Sequence, residues 1–264
     1  MKKYLFGVYA LWKCEIIRFW RQPSRVMGAL GTPFIFWIFI GSGFGNSFRL
    51  HTSAAEKATN YLYYFFPGTV FMILLFTAIF STFSLIQDRQ EGFLQSVLVA
   101  PIPRSVIVFG KVLGGATLAL SQCVIFLALA PTIGISMTVP MFFSCTVVLF
   151  VNAFALTAIG FVFAWKINSM QGFHAIMNLC LMPMWFLSGA LFPQNGAPEW
   201  MRVVMKLNPL TYGLAWLKHD LGLAGGLEVL PSAQLSMIVT LLFGFTFFLL
   251  STWLTCQRQN QNIR

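Results

Sequence analysis

From Val112 to Trp165 the chain runs 54 residues without an Asp, Glu, Lys or Arg. A water-soluble fold does not go so long without charge, because its surface needs polar groups. A bilayer demands the opposite. A charged side chain at the centre of a spanning helix costs roughly 2.5–3.5 kcal/mol. The stretch reads as two spanning helices joined by a turn across 131–140, in a protein integral to a membrane. Composition agrees, at 58% hydrophobic and 9% charged.

Four further windows lack charge: Val26–Phe48, Ala58–Gln87, Ile167–Pro198 and Val229–Gln257. Each holds one helix of about 20 residues. The expected fold is all-α and integral to the membrane, with six transmembrane helices at 26–45, 61–86, 105–130, 140–165, 172–192 and 233–255. One domain fills 1–264: an interfacial helix over 1–25, the six-span bundle over 26–255 and a tail over 256–264. No short apolar segment with a cleavage site precedes Val26, so the first span is expected to be retained. An even number of spans puts both termini on one side. That side carries twelve Lys and Arg against five on the other, which places the termini in the cytoplasm. Loops 87–104 and 166–171 then face inward, and 46–60, 131–139 and 193–232 face outward. The net charge of +10 follows from this flanking pattern, and no soluble basic module remains to bind nucleic acid.

Two segments outside the spans are amphipathic. Leu5, Val8, Tyr9, Trp12, Ile16, Phe19 and Trp20 share one helical face, with Lys3, Arg18 and Arg21 across from it. Such a helix can lie in the membrane interface with its cations towards anionic lipid. The same residues also suit a plain basic leader. After the fifth span, Pro198 can open a short helix and Asn208–Pro209 close it. Glu199 near its start and Lys206 near its end match the helix dipole. Trp200, Val203, Val204 and Leu207 form an apolar face suited to the outer leaflet.

Several chemistries lack their residues. The spans hold no central Asp, Glu, Lys or Arg of the kind that ion-coupled transporters use. His174, near a span end, reads as an interfacial or packing residue. Gly110–Lys111 is followed by Val112, and Ser105 stands where a phosphate-binding loop needs its first glycine. There is no G-x-S-x-G elbow and no H-E-x-x-H zinc pair. The five cysteines have no zinc spacing. The chain is therefore expected to be a transport subunit with no catalytic residue, metal or cofactor of its own. Its energy source must lie on another subunit. A secondary transporter or channel without such a partner is the alternative.

The loop after the second span can receive that energy. It starts polar, then places Phe93, Leu94, Val97 and Leu98 on one side of a short helix that Pro101 and Pro103 stop. Such a helix can dock in a partner's groove, or merely cover the membrane surface. Here the residues resemble a known family. Glu91, Gly92, Phe93, Leu94 and Gln95, then Leu98, Ala100, Pro101, Pro103 and Arg104, then Gly110–Lys111, are similar to the signature region of type-2 ABC transporter permeases. Phe93 stands where that pattern usually has Thr, and Gln95 where it has a second acid. The second hallmark runs Phe186, Ser188, Gly189, Phe192, Pro193, then Trp200, then Asn208, Pro209 and Tyr212. The subgroup it most resembles is the drug- and nodulation-factor-type exporter permeases.

The resemblance implies two permease copies, most simply a homodimer, on two ATP-binding subunits that hold ATP and Mg. Glu91, Gly92, Phe93, Leu94, Gln95 and Arg104 would couple to the ATPase. A pathway for an amphipathic or lipid-like substrate would run along spans two and five. Its candidate wall is Phe71, Phe76, Phe80, Asn178, Met182, Met184 and Phe186, although with 29 Phe in the chain many must face lipid or neighbouring helices. Pro183 and Gly189 are expected to bend span five. Gly114, Gly115, Gly28 and Gly31 are expected to let helices approach closely.

Overall fold

Five helical stretches of the computed structural model are long and apolar enough to cross a bilayer: Tyr61–Gln90, Arg104–Ile133, Val139–Lys166, Met170–Ala190 and Ala233–Gln257. The structure describes residues 2–21, 23–44, 61–223 and 230–261. The expected outer loop 46–60, with Arg49 and Lys57, and the terminal Arg264 lie outside the described residues. The α-helices in chain order are α1 Lys2–Trp20, α2 Pro23–Phe44, α3 Tyr61–Ser81, α4 Phe83–Gln90, α5 Phe93–Val99 and α6 Arg104–Leu127. They continue with α7 Val139–Lys166, α8 Met170–Trp185, α9 Glu199–Leu207, α10 Pro209–Asp220 and α11 Ala233–Gln261. There is no strand among the described residues. The protein is an all-α membrane protein, and the charge-free windows locate its long helices to within a few residues.

α2 stands where the first span is expected. Its Trp37 packs against Phe66 of α3 and Phe126 of α6, with ring centroids 6.0 and 5.5 Å apart. α3 is the most enclosed element: Phe65, Phe66, Val70, Phe71, Ile73, Leu74 and Leu75 are all 0% exposed. α7 packs against α3, α6 and α11. In lipid there is no water to drive apolar side chains together, so close approach and polar contacts must hold such helices. Gly115 shows this. A Cβ there would lie 2.2 Å from Ser81 Oγ and 2.6 Å from a Thr157 methyl. Gly31 is not used in this way: a Cβ there would meet nothing within 4 Å.

Two segments depart from the sequence reading. α1 packs lengthwise on the first turns of α6, because Gly7 meets Val106, Leu11 meets Gly110 and Glu15 meets Gly114. Trp12 Nε1 donates to Thr117 Oγ1 at 3.1 Å. Leu11, Glu15 and Phe19 are therefore buried, while Leu5, Tyr9 and Trp20 of the expected apolar face stay exposed. The expected outer loop 193–232 also contains α10, which returns into the bundle and buries Leu210, Thr211, Gly213, Leu214, Ala215 and Leu217. Pro209 starts it and Asn208 caps it, accepting from the Leu210 amide at 3.1 Å. At its other end Asp220 accepts from Ser144 of α7.

Gly115→Ala is expected to lower stability by about 1–3 kcal/mol through overpacking. Gly31→Ala should leave it unchanged. Thermal unfolding of the detergent-solubilised protein separates the two.

Candidate functional site

The end of the bundle that carries α5 holds four clustered charges. Lys111 of α6 donates to Glu15 of α1 and to Asp88 of α4. Its Nζ also lies 3.5 Å from Ser84 Oγ. Arg18 of α1 donates to the other Asp88 oxygen at 2.7 Å. Asp88 is 0%, Glu15 5% and Lys111 7% exposed. The three buried charges sum to −1, and the partly exposed Arg18, 23% exposed, brings the cluster to zero from its rim. Burial alone pulls the Arg18 guanidinium down, but its hydrogen bond and attraction to Asp88, with the charge of Glu15, leave it raised. The cluster ties α1, α4 and α6 together at one point.

The next residue grips the other side. Arg89 donates to the carbonyls of Trp165 at 2.9 Å, Ile167 at 3.2 Å and Ala164 at 3.3 Å, and to Asn168 Oδ1 at 2.7 Å. Its guanidinium lies 5.6 Å from the Trp165 ring centroid. A cation at the carbonyl end of α7 is favoured by the helix dipole and satisfies carbonyls left over where the helix stops. Gln90 Nε2 adds a bond to the Asn168 carbonyl at 3.2 Å.

α5 follows at once. Gly92 turns the chain with φ of 78°, a conformation that favours glycine, and α5 runs from Phe93 to Val99. Leu94 is buried in the core, so it anchors this helix rather than meeting a partner. Phe93 stands at the edge of the face it shares with Leu94, Val97 and Leu98 and is 39% exposed. Glu91, Gln95 and Val99 are exposed beside it. Arg104 opens α6 and is half-buried.

Of the expected pathway wall, Phe71 is wholly enclosed by the chain's own helices, beside Gly213, and drops out. Phe76 and Phe80 do share an incompletely covered face. Their rings lie 5.7 Å apart, Phe80 stacks on Phe83 at 5.2 Å and on His174 of α8 at 4.9 Å. His174 Nδ1 and Asn178 Nδ2 are 2.8 Å apart. Met182 and Met184 are half-buried, and Phe186 is exposed.

The opposite end of α8 is broken. α8 runs on through Pro183 to Trp185, and the break is the turn over Phe186–Ala190, where Leu187 leaves helical geometry and Gly189 has φ 85°. Side chains from two neighbours satisfy the carbonyls this leaves. From α3, Tyr64 donates to the Gly189 carbonyl at 3.1 Å and Tyr61 to that of Leu191 at 3.0 Å. From the α10 side, Asn208 donates to Met184 at 2.6 Å and the buried Lys218 to Gly189 at 3.0 Å. Lys218 Nζ also sits 4.5 Å from the Tyr64 ring centroid. Ser188 Oγ bonds the Trp185 carbonyl at 2.7 Å, and Tyr212 bonds the Lys206 carbonyl at 2.8 Å. Pro193 caps the next short turn. Trp200, with Val203 and Leu207, stands exposed on α9. Most of the second hallmark is thus the hardware of a capped helix break.

Both ends fall inside residues 7–219, which match the family described as ABC-2 type transporter. The chain belongs to this family. Family membership makes it a transmembrane transport subunit of an ABC transporter. It is 30% identical over 217 residues to the transport permease ycf38 of Cyanophora paradoxa, covering 78% of this chain and 70% of that one. It is 25% identical over 169 residues to the inner membrane transport permease YhhJ of Escherichia coli, covering 62% and 44%. Nodulation protein J of Rhizobium meliloti is 23% identical over 211 residues, covering 78% and 77%.

Sequence reasoning missed Glu15, Asp88, Arg89 and Lys218 as site residues. One signal was available: Glu15 is a lone carboxylate between Leu11 and Phe19, and Lys111 is the lone charge between Arg104 and Lys166. Each needed an opposite charge.

Lys111→Met is expected to cost about 3–5 kcal/mol, because it leaves two buried carboxylates facing each other. Adding Glu15→Gln should recover part of that loss. A double variant less stable than Lys111→Met alone, by thermal unfolding, would contradict the cluster.

Proposed function

We propose that this chain is the permease of an ATP-driven exporter, and that the α5 end is where it receives work. The observation that carries the reading is the design of α5. It is a short helix held to the bundle by Leu94, with Phe93 and Gln95 exposed on it and Glu91 exposed just before it, and it begins five residues after the buried Asp88 of α4. A separate ATP-binding subunit, holding ATP and Mg, docks on that outward side. Nucleotide binding closes that subunit and pushes α5, and hydrolysis resets it. This is a two-state element biased by a ligand on another chain.

In this reading α2 is the first of six spans, the protein sits in the inner or plasma membrane, and both termini are cytoplasmic. A second permease copy completes the pathway. Phe76, Phe80, Asn178, Met182, Met184 and Phe186 give it an adaptable, largely apolar wall suited to an amphipathic or lipid-like cargo. Membrane lipid meets the exposed Leu5, Tyr9 and Trp20 of α1 on the inner side. The apolar face of α9 meets it on the outer side.

Expressed with its ATP-binding subunit, the permease should co-purify with it. Glu91→Ala should insert as the wild type does, yet lose about tenfold in ATP-driven transport, within the usual range of coupling energies. Vesicles loaded with a panel of fluorescent lipids and amphipathic drugs provide the measurement. Wild-type transport by Glu91→Ala would remove the coupling assignment.

A further inference from the structure

Asp88 and Arg89 are adjacent, yet their side chains reach different helices. Successive helical residues point about 100° apart, so neighbours diverge. Asp88 reaches Lys111 of α6 and Arg18 of α1. Arg89 reaches the last carbonyls of α7 and Asn168, in the joint that leads to α8. α8 starts at Met170, where Ser169 Oγ accepts from the Gly172 amide at 3.3 Å. Asp88 and Arg89 both lie in the last turn of α4, five and four residues before α5 begins at Phe93.

We propose that Asp88 and Arg89 form a yoke that divides the displacement of α5 into two arms. The inference rests on the reading that α5 receives the stroke. Asp88 is the positioning residue of one arm and carries motion to α1 and α6. Arg89 is that of the other and carries motion to the α7–α8 joint. The second arm leads directly to the half-covered face of Phe80, His174 and Asn178. The physical basis is the difference in bonding. The Asp88 arm is a buried ionic contact that breaks only at high cost. The Arg89 arm is a fan of bonds to backbone carbonyls, which moves the main chain itself. No side chain is shared between the arms, so each can be cut alone.

Hydrogen–deuterium exchange on the full-length permease tests this, first alone in detergent and then in complex with its ATP-binding subunit. In the permease alone, Asp88→Asn is expected to speed amide exchange in α1 by on the order of tenfold or more, leaving 164–172 at the wild-type rate. Arg89→Gln should do the reverse. Arg18→Met keeps Lys111 paired with both carboxylates, and guards against a misfolded Asp88 variant. It should loosen α1 only. In the complex, ATP should change exchange in both segments of the wild type. Asp88→Asn should lose that response in α1 and keep it at 164–172, and Arg89→Gln the converse. If either variant loosens both segments or neither, the two-arm division is overturned. Separate loosening in the permease alone, with no ATP response in the wild-type complex, overturns the stroke through α5 instead. That outcome is told apart from a failed yoke by the intact separation.

Discussion

Glu15, Arg18, Asp88 and Lys111 come from three helices and meet at one point, the first, third and fourth buried and Arg18 at the rim. None of the three buried charges would be tolerated there by itself, since an unpaired charge in such surroundings carries a large desolvation penalty. With Arg18 they cancel. Their mutual dependence fixes how α1, α4 and α6 sit, and so fixes where α5 emerges. The small residues Gly110 and Gly114 make the arrangement possible by letting α1 approach α6 closely enough for Glu15 to reach Lys111. Covalent order, packing and charge thus converge on one junction, and the helix that meets the ATP-binding subunit in our reading is mounted on it.

The far end of the molecule solves a different problem with different chemistry. α8 must stop inside the bundle, and an interrupted helix leaves carbonyls that lipid cannot satisfy. Tyr61, Tyr64, Asn208 and Lys218 supply donors from the two flanking elements. The two ends thus differ in kind: a cluster of paired charges at one, a set of donors to freed carbonyls at the other.

The spans were legible because exclusion of charge is a local property, readable window by window. α5 was legible for a similar reason, since Gly92, Pro101 and Pro103 bracket it. α10 was not. It has twelve residues, too few to span, and ends in Lys218, His219 and Asp220, which look like a solvated loop until Lys218 is seen against Gly189. The charge junction was hidden because Glu15, Asp88 and Lys111 are 96 and 23 positions apart in their two pairings, and no local pattern links them. Leu94, a coupling residue by the family resemblance, and Phe71, a candidate wall residue, are both buried, because burial depends on neighbours from distant helices. Gly31 likewise looked like a packing residue and meets open space.

The central claim is that work enters through the outward side of α5. Site-specific photo-cross-linking against the ATP-binding subunit tests it most directly, with the probe placed in turn at Glu91, Gln95, Val99 and Leu94. The account predicts cross-links from the three exposed positions and none from Leu94. Absence of any α5 cross-link in a complex that still hydrolyses ATP and transports would contradict it.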